Sequence, residues 1–198
     1  MNLNNEALPA NIGDVYNVQS ALGHGATMYK PYFDFLCRDW NINAKTWDML
    51  NVKYIVTKNR IQGLELIKHD QSSDIFVYKR KNFKQKVYFE SPTSKDESAE
   101  IISYSNNLIE YSVNAASKRT LVFSEIYYPG WKAYVDGKRV VISKNDIFRS
   151  IDVPPGKHTV IMVYKPISFR IGVLISLGTL IVCGLLAVFR PSLRFPPN

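Results

Sequence analysis

Residues Ile171–Phe189 form an uninterrupted run of 19 residues without a charged side chain. At ~1.5 Å of rise per residue, such a run spans roughly 28 Å as a helix, close to the ~30 Å hydrocarbon core of a bilayer. A core helix of a soluble protein shows a polar face where it meets water. This run shows none, which predicts a membrane-spanning helix. Gly172, Ser176 and the pair Thr179/Leu180 form a partial small-residue stripe, which allows close helix–helix approach. Arg190 and Arg194 lie beyond the run, and Lys157, Lys165 and Arg170 lie before it, so the positive-inside rule gives no orientation. The start, Met1–Glu6, has neither the basic nor the apolar part of a secretory signal. A domain outside the cytoplasm would therefore need upstream spans to carry it there. A chain complete as it stands would be tail-anchored, with its domain in the cytoplasm.

Ahead of the apolar run, Ser124–Tyr164 reads as a closely punctuated set of strands. Asp136-Gly137 separates two apolar-aromatic runs. Both residues tolerate positive φ, as a two-residue type I′ hairpin requires, which predicts pairing of Lys132–Val135 with Arg139–Ser143. Pro154-Pro155-Gly156 breaks Ile147–Val153 from Lys157–Tyr164, and Pro129-Gly130 is a third break. Thr159–Tyr164 is apolar on both faces, which predicts a central strand. Trp131, Ala133 and Val135 share one strand face, which makes Trp131 a core aromatic beside a turn. Its alternative role is a stacking platform for a sugar ring.

Further upstream, Met1–Asp14 is polar and the Gly23-His24-Gly25 segment reads as a loop. Pro31 suits the first turn of a helix over Pro31–Arg38, with Tyr32, Phe33, Leu36 and Trp40 at helical spacing. A second short helix runs from Asn43 or Lys45 to Leu50. Val52–Thr57 reads as a buried strand, followed by strands at Leu64–His69 and Ile75–Lys79 across a polar turn. The basic stretch Lys79–Lys86 is the best boundary, either a solvated linker or a contact for phosphate groups. Strands follow at Val87–Glu90, Ala99–Tyr104, Leu108–Asn114 and Arg119–Tyr127, making seven or eight between Val87 and Tyr164. The expected fold is α+β and mainly β. Loosely ordered residues 1–15 precede a small α/β segment at 16–80. An antiparallel β-sandwich-like domain at 81–168 leads to the membrane helix at 169–189 and a short basic tail at 190–198.

The net charge of +8 suits an anionic membrane surface or polymer. The basic residues are dispersed and no nucleic-acid motif is present, so no nucleic-acid partner is expected. The two cysteines, Cys37 and Cys183, do not suit a disulfide, and no CxxC, HExxH or His/Asp cluster predicts a metal or cofactor. Asp34, Asp39, Asp48, Glu125, Asp136, Asp146 and Asp152 form no pair spaced for glycoside hydrolysis. Asp136 belongs to its hairpin, Glu125 is expected to face solvent, Ser124 lacks a nucleophile elbow, and His158 reads as a satisfied or exposed strand histidine.

The string Tyr127–Lys138 (YYPGWKAYVDGK), followed by Val153–Pro166 (VPPGKHTVIMVYKP) and an apolar helix, resembles the C-terminal end of the YfhO family of bacterial multi-spanning membrane proteins. Asn51–Val56 is similar to a motif upstream in the same family, and the likeness runs from about Tyr16 to the end. Members resemble GT-C-type glycosyltransferases, and some are implicated in glycosylating cell-envelope polymers. Their catalytic and lipid-carrier sites are expected in the transmembrane portion and its first outer loops, so no catalytic residue is carried over to this chain. The resemblance implies a bacterial cytoplasmic-membrane location, with the main domain outside and the tail inside. It also implies partnership with the lipid bilayer, with upstream transmembrane segments and with an envelope glycopolymer.

Two functions compete on these grounds. One is a non-catalytic accessory domain that covers the active-site face of the membrane part or holds an acceptor polymer. Its contacts would be Tyr127, Tyr128, Trp131, Lys132 and Lys157. The other is a self-contained, membrane-anchored module that binds another envelope protein and has no link to glycosylation.

Overall fold

The computed structural model describes residues 20–21, 29–38, 45–91 and 94–188. Residues 1–15, the Gly23–Gly25 loop, Trp40 and the basic tail lie outside the described residues.

Two short helices come first, α1 (Lys30–Leu36) and α2 (Lys45–Met49). Pro31 sits in the first turn of α1, where its missing N–H costs nothing. Three strands follow: β1 (Tyr54–Thr57), β2 (Glu65–Asp70) and β3 (Ile75–Lys79). They form an antiparallel sheet in the order β1-β3-β2. The expectation of a buried strand at Val52–Thr57 is corrected here. β1 is an edge strand with Tyr54 and Val56 exposed and only Thr57 buried. An apolar, β-branched run fits a half-covered edge as well as a central strand, because its composition carries no information about what covers it.

The main body is a sandwich of two antiparallel sheets. Its strands are β4 (Val87–Phe89), β5 (Ser98–Tyr104), β6 (Leu108–Ala115), β7 (Arg119–Ile126), β8 (Trp131–Val135), β9 (Lys138–Val140), β10 (Ser143–Asn145), β11 (Phe148–Val153) and β12 (Gly156–Tyr164). One sheet runs β10-β11-β7-β4 and the other β5-β6-β12-β8-β9. The Asp136-Gly137 hairpin forms as expected, with Val135 opposite Lys138 and φ of 49° and 78° at its two turn residues. Arg139–Ser143, expected as one strand, splits in two. Val141–Ile142 crosses from one sheet to the other, so Val140 pairs with Ala133 while Ser143 pairs with Ser150. β12 is central, between β6 and β8.

Strand alternation builds the core. Leu121, Phe123, Ile151 and Val153 face Ile109, Tyr111, Val113, Ala133, Val160 and Met162 across the sandwich, all buried. Val122 and Phe148 point the other way. Phe35 of α1 covers them, its ring meeting that of Phe148 edge-on at 5.3 Å, with Met49 and Leu50 alongside. The four-stranded sheet is thus apolar on both faces, which explains the unbroken Leu121-Val122-Phe123 run. Residues 80–86 are tied along this side. Arg80 is buried against Asp48, the Lys84 N–H donates to the Asp48 carbonyl at 2.9 Å, and the Ser124 N–H donates to the Lys86 carbonyl at 2.7 Å.

After Lys165-Pro166 comes α3 (Ile167–Val188), 22 residues with none of them buried. It is long and apolar enough to cross a membrane, roughly 33 Å at ~1.5 Å per residue. It begins four residues ahead of the apolar run, so Arg170 lies in its first turn.

Candidate functional site

The end of the sandwich nearest α3 holds the candidate site. β8 and β12 pair Trp131 with Tyr164, and only Lys165 and Pro166 separate Tyr164 from the helix. Here the Tyr127–Gly130 turn and the Val141–Ile142 crossing enclose a cleft of about 350 Å³. It is lined by Tyr127, Tyr128, Trp131, Lys132, Arg139, Val140, Val141 and Ile142, together with Pro129 and Gly130.

The turn that shapes the cleft depends on Gly130. Its φ is +107°, a conformation side chains rarely adopt. A Cβ there would also lie 2.9 Å from the Tyr164 ring and 3.1 Å from Pro166 Cα. The turn is fastened at both ends. The Lys165 N–H donates to the Gly130 carbonyl at 2.8 Å, and the Tyr127 N–H donates to the Ile147 carbonyl at 2.7 Å.

Trp131 forms the inner wall. It packs against the sandwich core and meets the Tyr164 ring at 5.3 Å, tilted by 44°. One face of its ring is occupied, because the Arg149 guanidinium lies 3.8 Å from the ring centroid. Arg149 is only 2% exposed and forms an ion pair with Glu125 through Nη2. Its Nε and Nη1 have no hydrogen-bond partner among the described residues, so the indole π-face takes their place. Burial pushes the Arg149 guanidinium down to about 10, which leaves it protonated at neutral pH. Glu125 was expected to face solvent and does not: its side chain is one-fifth exposed and holds this buried cation. Strand parity carried the missed signal. Arg149 shares a face with Ile151 and Val153, both buried, so a cation there needs a carboxylate.

The structure therefore brings four of the five expected contact residues, Tyr127, Tyr128, Trp131 and Lys132, into one cleft. Tyr128 is the exposed aromatic among them, about half exposed and edge-on to Tyr29 at 5.5 Å. Lys157 lies elsewhere. It pairs with Asn114, six residues along β12 from the Val163 that pairs with Lys132, which places it roughly 20 Å away at ~3.3 Å per residue. Arg139 and Val141 line the cleft as well, a placement set by the crossing between sheets, which their β-forming sequence does not signal.

The basic stretch at 79–86 is largely engaged within the fold. Besides Arg80, Lys84 lies 4.3 Å from the Tyr88 ring and Lys86 4.5 Å from the Tyr104 ring. At the far end of the sandwich, His158 Nδ1 bonds Asp136 at 2.6 Å. This holds the imidazole above its ordinary pKa and the carboxyl below its own. Among the described residues, no group of three or more His, Cys, Asp or Glu side chains is arranged to hold a metal ion.

A family model described as bacterial membrane protein YfhO matches residues 37–176. The match takes in α2, all twelve strands and the opening turns of α3. No curated protein and no solved structure matches the chain.

Proposed function

Because this chain belongs to the YfhO family of bacterial membrane proteins, we propose that it serves as a non-catalytic, extracytoplasmic domain with an attached membrane helix, working beside upstream spans of a larger protein. Its role is to assist glycosyl transfer to a cell-envelope polymer by holding the acceptor near the membrane. The cleft supports this reading. Its aromatic and cationic residues, Tyr127, Tyr128 and Lys132, sit at the end of the sandwich from which α3 departs. An anionic, sugar-bearing chain is complemented there by a ring face and an ammonium group. Because Trp131 has one face under Arg149, Tyr128 is the better stacking surface. Lys157, at the far end, would touch such a polymer only if it ran the length of the sandwich. Gly172, Ser176 and Thr179 would let α3 pack closely against the upstream spans.

Two measurements test the proposal. A reporter active only outside the cytoplasm, inserted beside the exposed Ser94 in the native gene, should be active. An inactive reporter with a positive cytoplasmic control would refute the extracytoplasmic placement. Purified chain in detergent should bind envelope glycopolymer, and Tyr128→Ala with Lys132→Ala should weaken binding at least about tenfold without lowering the melting temperature. Equal binding by that variant would refute the cleft as the contact. With an active reporter, it would favour an anchored module that binds another envelope protein.

A further inference from the structure

The two ends of the sandwich differ in kind. At the far end, Lys118 pairs with Asp152 at 3.2 Å and Asp136 with His158 at 2.6 Å. At the end nearest α3, the turn at 105–107 meets the cleft side. The Tyr164 N–H donates to the Asn107 carbonyl there at 2.9 Å. Large apolar side chains stand exposed around this end: Tyr104, Leu108, Tyr128 and Val141, the last 83% exposed. Lys132 and Lys165 at this end, and Arg139, which stands opposite Tyr134 three residues along β8 from Trp131 and lines the cleft, meet no carboxylate among the described residues, whereas nearby Glu125 and Asp146 are taken by Arg149 and Arg38.

This rim is continuous with a membrane-capable helix. Two residues span at most ~7 Å and the four helical residues ahead of the apolar run add about 6 Å, so Tyr164 stands within roughly 13 Å of the plane where that run begins, within reach of the headgroup layer. A single exposed valine is ordinary. Aromatic and aliphatic tips grouped with unpaired cations around the mouth of a membrane helix match the headgroup layer, where Tyr and basic side chains place an apolar body beside a polar tip.

We propose that this end of the sandwich docks on the membrane surface and recognises anionic phospholipid headgroups. Lys132, Arg139 and Lys165 meet lipid phosphates, while Val141 and Tyr128 enter the headgroup layer. The charge complementarity is to a surface of negative potential, as anionic lipid headgroups present. The inference does not rest on the glycopolymer reading and holds for either orientation of α3.

The test is amide hydrogen exchange on the full chain in nanodiscs. Exchange across residues 127–132 and 140–142 is expected to slow by at least about fivefold in discs containing phosphatidylglycerol relative to phosphatidylcholine alone. The protection should vanish in 1 M salt, a control that needs no variant. It should also vanish in the triple variant Lys132→Glu, Arg139→Glu, Lys165→Glu, while the central strand at Val160–Met162 keeps its exchange rate. Equal protection in both lipids, or none in either, would overturn the proposal. Equal protection would point to an apolar contact or a second copy of the chain. Protection by inorganic phosphate in phosphatidylcholine discs would overturn it in favour of a soluble-anion site.

Discussion

Removing the Glu125 carboxylate should cost this domain more than almost any other single change outside the core. Arg149 is 2% exposed, and two of its three guanidinium nitrogens have no hydrogen-bond partner among the described residues. Glu125→Ala leaves that cation against the Trp131 ring with no carboxylate partner among the described residues. The cation cannot escape by losing its proton near neutral pH, because burial brings it down only to about 10. Breaking a buried pair by deleting one partner costs about 3–5 kcal/mol. For a chain of 198 residues, at about 2–4 °C per kcal/mol, the melting temperature should fall by roughly 6–20 °C. Arg149→Met should cost less, because Glu125 is one-fifth exposed and can take up water. Glu125→Leu combined with Arg149→Met should recover most of the loss, since replacing both partners by apolar groups is often neutral or stabilising. Arg149→Lys should not substitute for arginine, because an ammonium cannot stack its plane on the indole. The assay is thermal unfolding of the full chain in detergent, followed by near-UV circular dichroism from Trp131 and its neighbours. A fall of under about 3 °C for Glu125→Ala, or a double variant less stable than the worse single one, would refute the buried-cation argument.

Three further outcomes follow from the same geometry. Trp131→Ala should destabilise by about 3 kcal/mol, as loss of a core-packed aromatic does, whereas Tyr128→Ala should stay within about 0.5 kcal/mol; urea unfolding of both separates packing from surface. Gly130→Ala should cost about 1–3 kcal/mol through its φ of +107° and the 2.9 Å approach to Tyr164; a midpoint within error of the parent would mean the turn relaxes freely. The Asp136–His158 pair should stabilise most between about pH 4 and 6.5. The raised histidine gives its full contribution below its ordinary 6.5 and loses it as pH rises through its folded value. The lowered aspartate contributes above its ordinary 3.8 and fails as pH falls through its folded value. The melting-temperature gap between parent and Asp136→Asn should therefore be wider at pH 5 than at pH 9, and an unchanged gap would contradict the pairing.

Local turn chemistry made much of this fold legible. Asp136-Gly137, Pro129-Gly130 and Pro154-Pro155-Gly156 each mark a reversal, because few residues accept the backbone angles involved. The apolar run of α3 was equally plain. The features that escaped were set by partners distant in the chain. Val141–Ile142 crosses between sheets, yet its residues have the same β propensity as a continuing strand. Tyr54 and Val56 look like core residues until the neighbouring sheet leaves them uncovered. Phe35 covers Phe148 across more than a hundred residues, and Glu125 reaches Arg149 across a strand pair. In the candidate site, aromatic residues beside a proline–glycine turn pointed to four lining positions. Arg139 and Val141 needed the crossing to be known first, and Lys157 was grouped with them only because sequence order hides which end of a strand is which.

The junction between β12 and α3 has a mechanical consequence. Lys165 is held by the Gly130 carbonyl, and Pro166 lies against Gly130 with a fixed φ, so few backbone angles at the junction are free to turn. A membrane helix changes its lean as the bilayer thickens or thins. With a stiff joint, that lean becomes a rotation of the whole sandwich, as a lever turns with its shaft. A change in bilayer thickness would then tilt the rim that faces the lipid surface.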